Sequence, residues 1–248
     1  MIVLEGLPAL LVLVPIGFLG ATLYGITGFG SALVTIPLAT HFVPLPFALA
    51  VFALMDLANA LRVAWEGTPH RVNAEVVRIV PFVALGIVLG TTLLVNLPRN
   101  ASMAALGAFV VLYGTWSLVQ RGATRTVGTR WAYVAGFTGG VCGMLFGAGG
   151  APFAIYLANR GLTKEQFRST LSMTSVFSIG IRVVALAAAG LLLRTDVLLA
   201  AAVMVPTALL ALGLASRLFR RVSRELLMRL VSLLLLATGA SLIARALG

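Results

Sequence analysis

ATLYGITGFGSALVTIPL, residues 21–38, is apolar enough for a membrane helix and yet interrupts itself. Gly25, Gly28 and Gly30 surround Thr27, Phe29 and Ser31, and Pro37 follows nearly two helical turns later. Glycine relaxes a helix and exposes its backbone, while proline removes a donor and clashes with the preceding turn. A helix broken here leaves the first N–H groups of its second half without partners, at an end that carries about half a positive charge. In hydrocarbon such donors must be satisfied, and an anion satisfies them. The expectation is that the break itself binds: Gly28 and Gly30 let backbone approach a ligand, and Thr27 and Ser31 add hydroxyls.

Around this stretch, the chain has 248 residues, 60% hydrophobic and 10% charged, with mean hydropathy +1.07. That composition excludes an ordinary soluble domain. Apolar runs fall at 7–40, 45–65, 75–96, 101–119, 131–158, 165–190, 196–215 and 224–246, most of them near the ~20 residues that cross a bilayer as a helix. No alternating barrel pattern is present, so an all-α integral membrane protein with about eight transmembrane helices is expected. The net charge of +11 would suggest nucleic acid in a soluble protein. Here Lys and Arg sit mostly between apolar runs, so the lipid bilayer is the expected partner and nucleic acid is not. They divide almost evenly between the two sets of loops and give no orientation. One cysteine and two histidines make no metal cluster, and no cofactor or Walker-type nucleotide loop is expected.

The break recurs. GFLGATLYGITGFGSAL (17–33) aligns without gaps on GFTGGVCGMLFGAGGAP (136–152), so that Gly17, Phe18, Gly20, Gly28 and Gly30 meet Gly136, Phe137, Gly139, Gly147 and Gly149. Arg62 and Val63 then match Arg182 and Val183, and Pro81 and Gly114 match Pro206 and Gly239, at slowly growing offsets that loop insertions produce. Small-residue helix packing explains each coincidence separately. The ordered series favours an internal duplication: two four-helix repeats, 1–120 and 121–248, with helices 1 and 5 broken, forming one membrane unit. Parallel and inverted arrangements are both compatible with it. The second half-site is then Gly147, Ala148, Gly149 and Gly150, before Pro152 starts a new helical segment.

The segments GITGFGSALVTIPL (25–38) and GMLFGAGGAPFAIYL (143–157), each near the start of a four-helix half, resemble the sulfite exporter TauE/SafE family, also called the toluene-sulfonate uptake permeases. The resemblance covers nearly the whole chain. It implies a multi-pass carrier of the bacterial inner membrane that moves sulfur-containing anions such as sulfite or organosulfonates, often outward. The halves differ where Gly150 replaces Ser31 and Phe146 replaces Thr27, so the two half-sites are chemically unlike.

Charged groups within apolar runs mark functional positions or buried partners. Asp56, Asn59 and Arg62 share one face of the second helix. Asp56 either pairs with an arginine, carries a coupling proton, or makes a structural hydrogen bond. Arg62 and Arg182 suit bidentate oxyanion contact, against headgroup snorkelling for Arg62. Ser172, Thr174, Ser175 and Ser178 form a polar stretch that either lines a path or bonds its own backbone. Tyr24 and Tyr156 flank the breaks as ligand donors or interfacial anchors. The leading expectation is a secondary transporter working by alternating access around a midplane site, with a small anionic substrate. An exporter of amino acids or small carboxylates is the alternative, and a non-transporting subunit or membrane-embedded enzyme the rival from another class. Oligomeric state stays open.

Overall fold

The computed structural model describes residues 7–66, 70–119, 127–218, 236–237 and 239–244, and these contain helices and loops with no strand. The helices are α1 (Leu7–Thr27), α2 (Ser31–Ala39), α3 (Leu45–Glu66), α4 (Asn73–Asn96), α5 (Arg99–Val119), α6 (Trp131–Phe146), α7 (Gly150–Ala158), α8 (Lys164–Ala188) and α9 (Thr195–Leu218). Among the described residues, five stretches are long and apolar enough to cross a membrane: Pro8–Gly25, Leu45–Glu66, Asn73–Asn96, Glu165–Ala188 and Thr195–Ala215. Asn100–Thr115 and Trp131–Phe146 are shorter apolar helices. The apolar run at 224–246 lies largely outside the described residues.

Helix starts and stops follow local chemistry. At the start of α8, Gln166 N–H donates to Thr163 Oγ1 at 3.2 Å while Thr163 N–H donates to Gln166 Oε1 at 3.1 Å, a reciprocal capping box. Several threonine hydroxyls within the helices return to the carbonyl four residues back, as Thr22 does to Phe18 and Thr138 to Val134, which hides their polarity from lipid. Leu85, Val88, Leu112, Val184 and Leu210 project outward, the surface a membrane solvates.

Close packing is made by small residues. A Cβ on Gly136 would lie 2.5 Å from Ile79 O, and one on Gly140 or Gly86 would collide with the facing backbone, so α4 and α6 touch main chain to main chain. Gly25 gives α9 the same access to α1, where a Cβ would stand 2.9 Å from Ala215 Cβ. The helix α3 runs through the middle, packed on α1, α2, α8 and α9, with two thirds (67%) of its span buried. The short helix α2 packs on α1 and α3 and the short helix α7 on α6 and α8, and the first residues of both line one cavity.

Candidate functional site

Both short helices begin just after a glycine turn. α1 stops because Gly28 enters the left-handed region (φ 79°), with its N–H donated to Tyr24 O at 2.7 Å. α6 stops in the same way at Gly147 (φ 70°), whose N–H reaches Gly143 O at 3.0 Å. Both are left-handed glycine endings of a helix, and at α6 Ala148 N–H adds a second bond, to Cys142 O at 3.2 Å. After two further residues the chain turns helical again, at Ser31 and at Gly150. Neither restart has a side-chain cap, and the first residues of α2 and α7 line one cavity.

The cavity has a volume of about 30 Å³, enough for about two waters. The first turn contributes Phe29, Gly30 and Ser31, and the second contributes Gly147, Ala148, Gly149 and Gly150. The side chains of Tyr24, Asp56, Ser175 and Arg182 complete it, from α1, α3 and α8. Phe29 covers Gly150: a Cβ there would sit 3.2 Å from Phe29 Cβ. Where the first turn carries a serine, the second therefore accommodates the ring of the opposite turn.

Arg182 dominates the electrostatics. It is 2% exposed, donates from Nη1 to Gly143 O at 3.0 Å, and leaves Nε and Nη2 without a hydrogen-bond partner. Nη2 lies 3.8 Å from Asp56 Oδ2, an ion pair too long to be a hydrogen bond. Asp56, itself 2% exposed, accepts a 2.5 Å hydrogen bond from Ser31 Oγ at the start of α2. A buried guanidinium with open donors is costly unless an acceptor reaches it. The two uncapped helix ends add positive potential on the same cavity. Hydrogen-bond acceptors are the groups that the open nitrogens of Arg182 call for.

Several expected residues fall elsewhere. Gly28 shapes its turn but faces Arg168 and Ser172 rather than the cavity. Thr27 closes α1, and its side chain lies outside the described part of the structure. Asn59 is fully buried with both amide atoms unpartnered, and it does not line the cavity. Arg62 is at the surface, its side chain 44% exposed, paired with Glu66 at 3.5 Å and donating to Leu209 O at 3.3 Å. Tyr156 donates to Glu75 Oε2 at 2.6 Å, in a separate cluster where Arg160 and Arg78 also reach Glu75 Oε1, at 3.0 and 3.2 Å. Of the polar stretch on α8, Thr174 back-bonds to Thr170 O, whereas Ser175 and Ser178 line the cavity.

Sequence reasoning missed Gly143, whose carbonyl anchors Arg182, and Phe153, which lines the wall. It also missed the Glu75–Arg160 pair. A carbonyl accepting from another helix leaves no residue-type signal, and partners 85 positions apart in sequence leave no periodicity.

The described residues thus form a helical bundle of membrane-spanning character, with Asp56 and Arg182 buried together at one cavity. The sequence matches the model of the sulfite exporter TauE/SafE family over residues 13–242, and the chain belongs to that family: it is a membrane transporter and not an enzyme. It is also 29% identical over 169 residues, 66% of this chain and 69% of the relative, to the "Probable inner membrane transporter protein TsaS" of Comamonas testosteroni. No solved structure matches the chain.

Proposed function

We propose that the protein is a secondary carrier of the bacterial inner membrane that exports small sulfur-containing anions such as sulfite or organosulfonates. It works by alternating access around the cavity between the two glycine turns. The observation that carries this reading is Arg182, buried against the ends of α2 and α7 with two nitrogens lacking hydrogen-bond partners. Family membership supports the sulfur-anion class, and the printed name of the bacterial relative supports the membrane.

The two-repeat architecture, 1–120 and 121–248 with about eight transmembrane helices and broken helices at α1/α2 and α6/α7, belongs to the same proposal. It is supported by the order of elements. Each half runs long helix, nine-residue helix, then helices of 22 and 24 residues in the first and 25 and 24 in the second. The packing agrees: α4 lies on α6 as α1 lies on α9, and α3 on α9 as α8 lies on α4, with α3 and α8 against each other. Exchanging the halves maps that pattern onto itself. A nine-residue helix is about 13.5 Å long, a little under half of a hydrocarbon core of ~30 Å. Too short to cross alone, α2 and α7 are read in this proposal as the second segments of broken helices, with the site between their starts.

The test is uptake in proteoliposomes challenged with sulfite, sulfate, methanesulfonate and short carboxylates. The expected result is transport of sulfur oxyanions by the native protein and its loss in a correctly inserted Arg182→Gln variant. Transport of carboxylates alone would overturn the substrate class, and full activity of the variant would overturn the site.

A further inference from the structure

The same cavity already contains an anion. Asp56 bridges its two principal side-chain donors: Oδ1 accepts from Ser31 Oγ at 2.5 Å, and Oδ2 faces Arg182 Nη2 at 3.8 Å. These are the contacts that an incoming oxyanion needs, the hydroxyl at the start of α2 and the open edge of the guanidinium. With a volume of about 30 Å³, the cavity brings any oxyanion into direct competition with the carboxylate.

Among the described residues, the surrounding elements give Asp56 no other ionic partner. Arg182 is the cation facing it from α8, whose remaining charged residues, Lys164, Glu165 and Arg168, sit in its first turns. Arg168 donates to Gly25 O. From α1 the titratable neighbour is the Tyr24 hydroxyl, beside Ser172 and Ser175, and α2 offers only Ser31 and Thr35 as polar side chains. The stretch 197–215 of α9 carries no ionisable residue, and on α3 itself Arg62 and Glu66 pair with each other at the exposed end. At rest the site therefore balances one cation against one carboxylate. A second anion drawn to Arg182 would leave a net negative charge in a low-dielectric cavity, which two helix ends offset only in part. A proton on the displaced carboxylate removes that imbalance.

We propose that Asp56 is the resident counter-anion of Arg182, and that substrate takes its place on the guanidinium only as Asp56 takes up one proton. This rests on the anion-site reading above. The step forms one O–H bond on the carboxylate with a proton drawn from the aqueous phase as substrate enters, and breaks no covalent bond of the protein. Ser31 and the free edge of Arg182 pass from the carboxylate to the substrate, so that anion binding is linked to the uptake of one proton by Asp56. The bound state holds one more proton than the free state, so affinity rises as pH falls.

The experiment is calorimetric titration of the purified full-length protein with methanesulfonate, a strong-acid anion of constant charge, between about pH 5 and about pH 9. Two buffers of different ionisation enthalpy are used, so that protons taken up per anion are counted directly. The expected result for the native protein is uptake approaching one proton, with affinity weakening by about tenfold per pH unit across the alkaline limb. Asp56→Asn, which keeps the shape and mimics the protonated acid, should bind at every pH with the native protein's acid-limb affinity and take up no proton. Native binding without proton uptake, or Asp56→Asn with the native pH slope, overturns the exchange. Arg182→Gln separates the two ideas: if it abolishes binding while the native protein takes up no proton, the site stands and the exchange falls. If it binds as the native protein does, or if the native protein binds neither methanesulfonate nor sulfate, the site reading falls and the exchange with it.

Discussion

Gly28 and Gly147 end their helices alike, both left-handed and both donating to the carbonyl four residues back, but two residues later the turns diverge. Gly30 is again left-handed at φ 89° with only Leu33 nearby at 3.7 Å, whereas Gly149 has an ordinary φ of −60° and no room. A Cβ on Gly149 would lie 2.7 Å from Gly139 O and 3.2 Å from Gly143 Cα. One glycine is required by its backbone angle and the other by close approach. The first turn brings Ser31 to the acid Asp56, and the second leaves space where Gly143 holds Arg182. Two sequence motifs of one pattern thus build unlike halves of a site: a hydroxyl and a carboxylate from one side, a guanidinium from the other.

The arginines put this contrast under the greatest strain, because Arg62 and Arg182 match in sequence and differ in burial. Arg182→Gln should weaken anion binding by about 10- to 100-fold, the range for losing a charge-assisted contact. Arg62→Gln should leave it within about twofold, since an exposed pair contributes little. Equal losses, measured by titration of the two purified variants, would show that burial is not what separates them.

The glycines come next. Gly149→Ala should destabilise the fold by about 1–3 kcal/mol through overpacking, seen as a lower melting temperature in detergent. Gly30→Ala should cost about 1–2 kcal/mol through its left-handed backbone, and Gly30→Asn should recover part of it, because Asn tolerates that region. Asn at 149 should recover nothing. If the two positions respond to Ala and Asn in the same way, the distinction between angle and space is wrong.

The smallest effect is expected at Ser31. Ser31→Ala removes one donor from Asp56 and one from the bound anion, so the two losses partly cancel and affinity should change by less than about tenfold. A larger loss would mean that the hydroxyl serves the substrate more than the acid.

Much of the site is legible in the residues alone. The glycine spacing predicts both turns, and Gly30, Ser31, Gly147, Gly149, Gly150, Asp56 and Arg182 do line one cavity. The same reasoning points to Tyr156 and Arg62, which lie elsewhere, because adjacency to a break and equivalence between repeats say nothing of which way a side chain points. Tyr156 turns to Glu75 since a carboxylate from α4 is within reach of its hydroxyl.

Composition and spacing are enough to establish an all-helical membrane protein and to place the stops of its helices. Both follow from local physics: apolar composition leaves the backbone no partner but itself, and glycine is the residue that turns left-handed at little cost. Which arginine is buried, and what it meets, is settled only by the packed fold. Ser31 and Asp56 are 25 residues apart, and Arg182 and Gly143 are 39 apart. The burial of a charge depends on which helices close around it, and that is a property of packing among α2, α3, α6 and α8 rather than of any one segment.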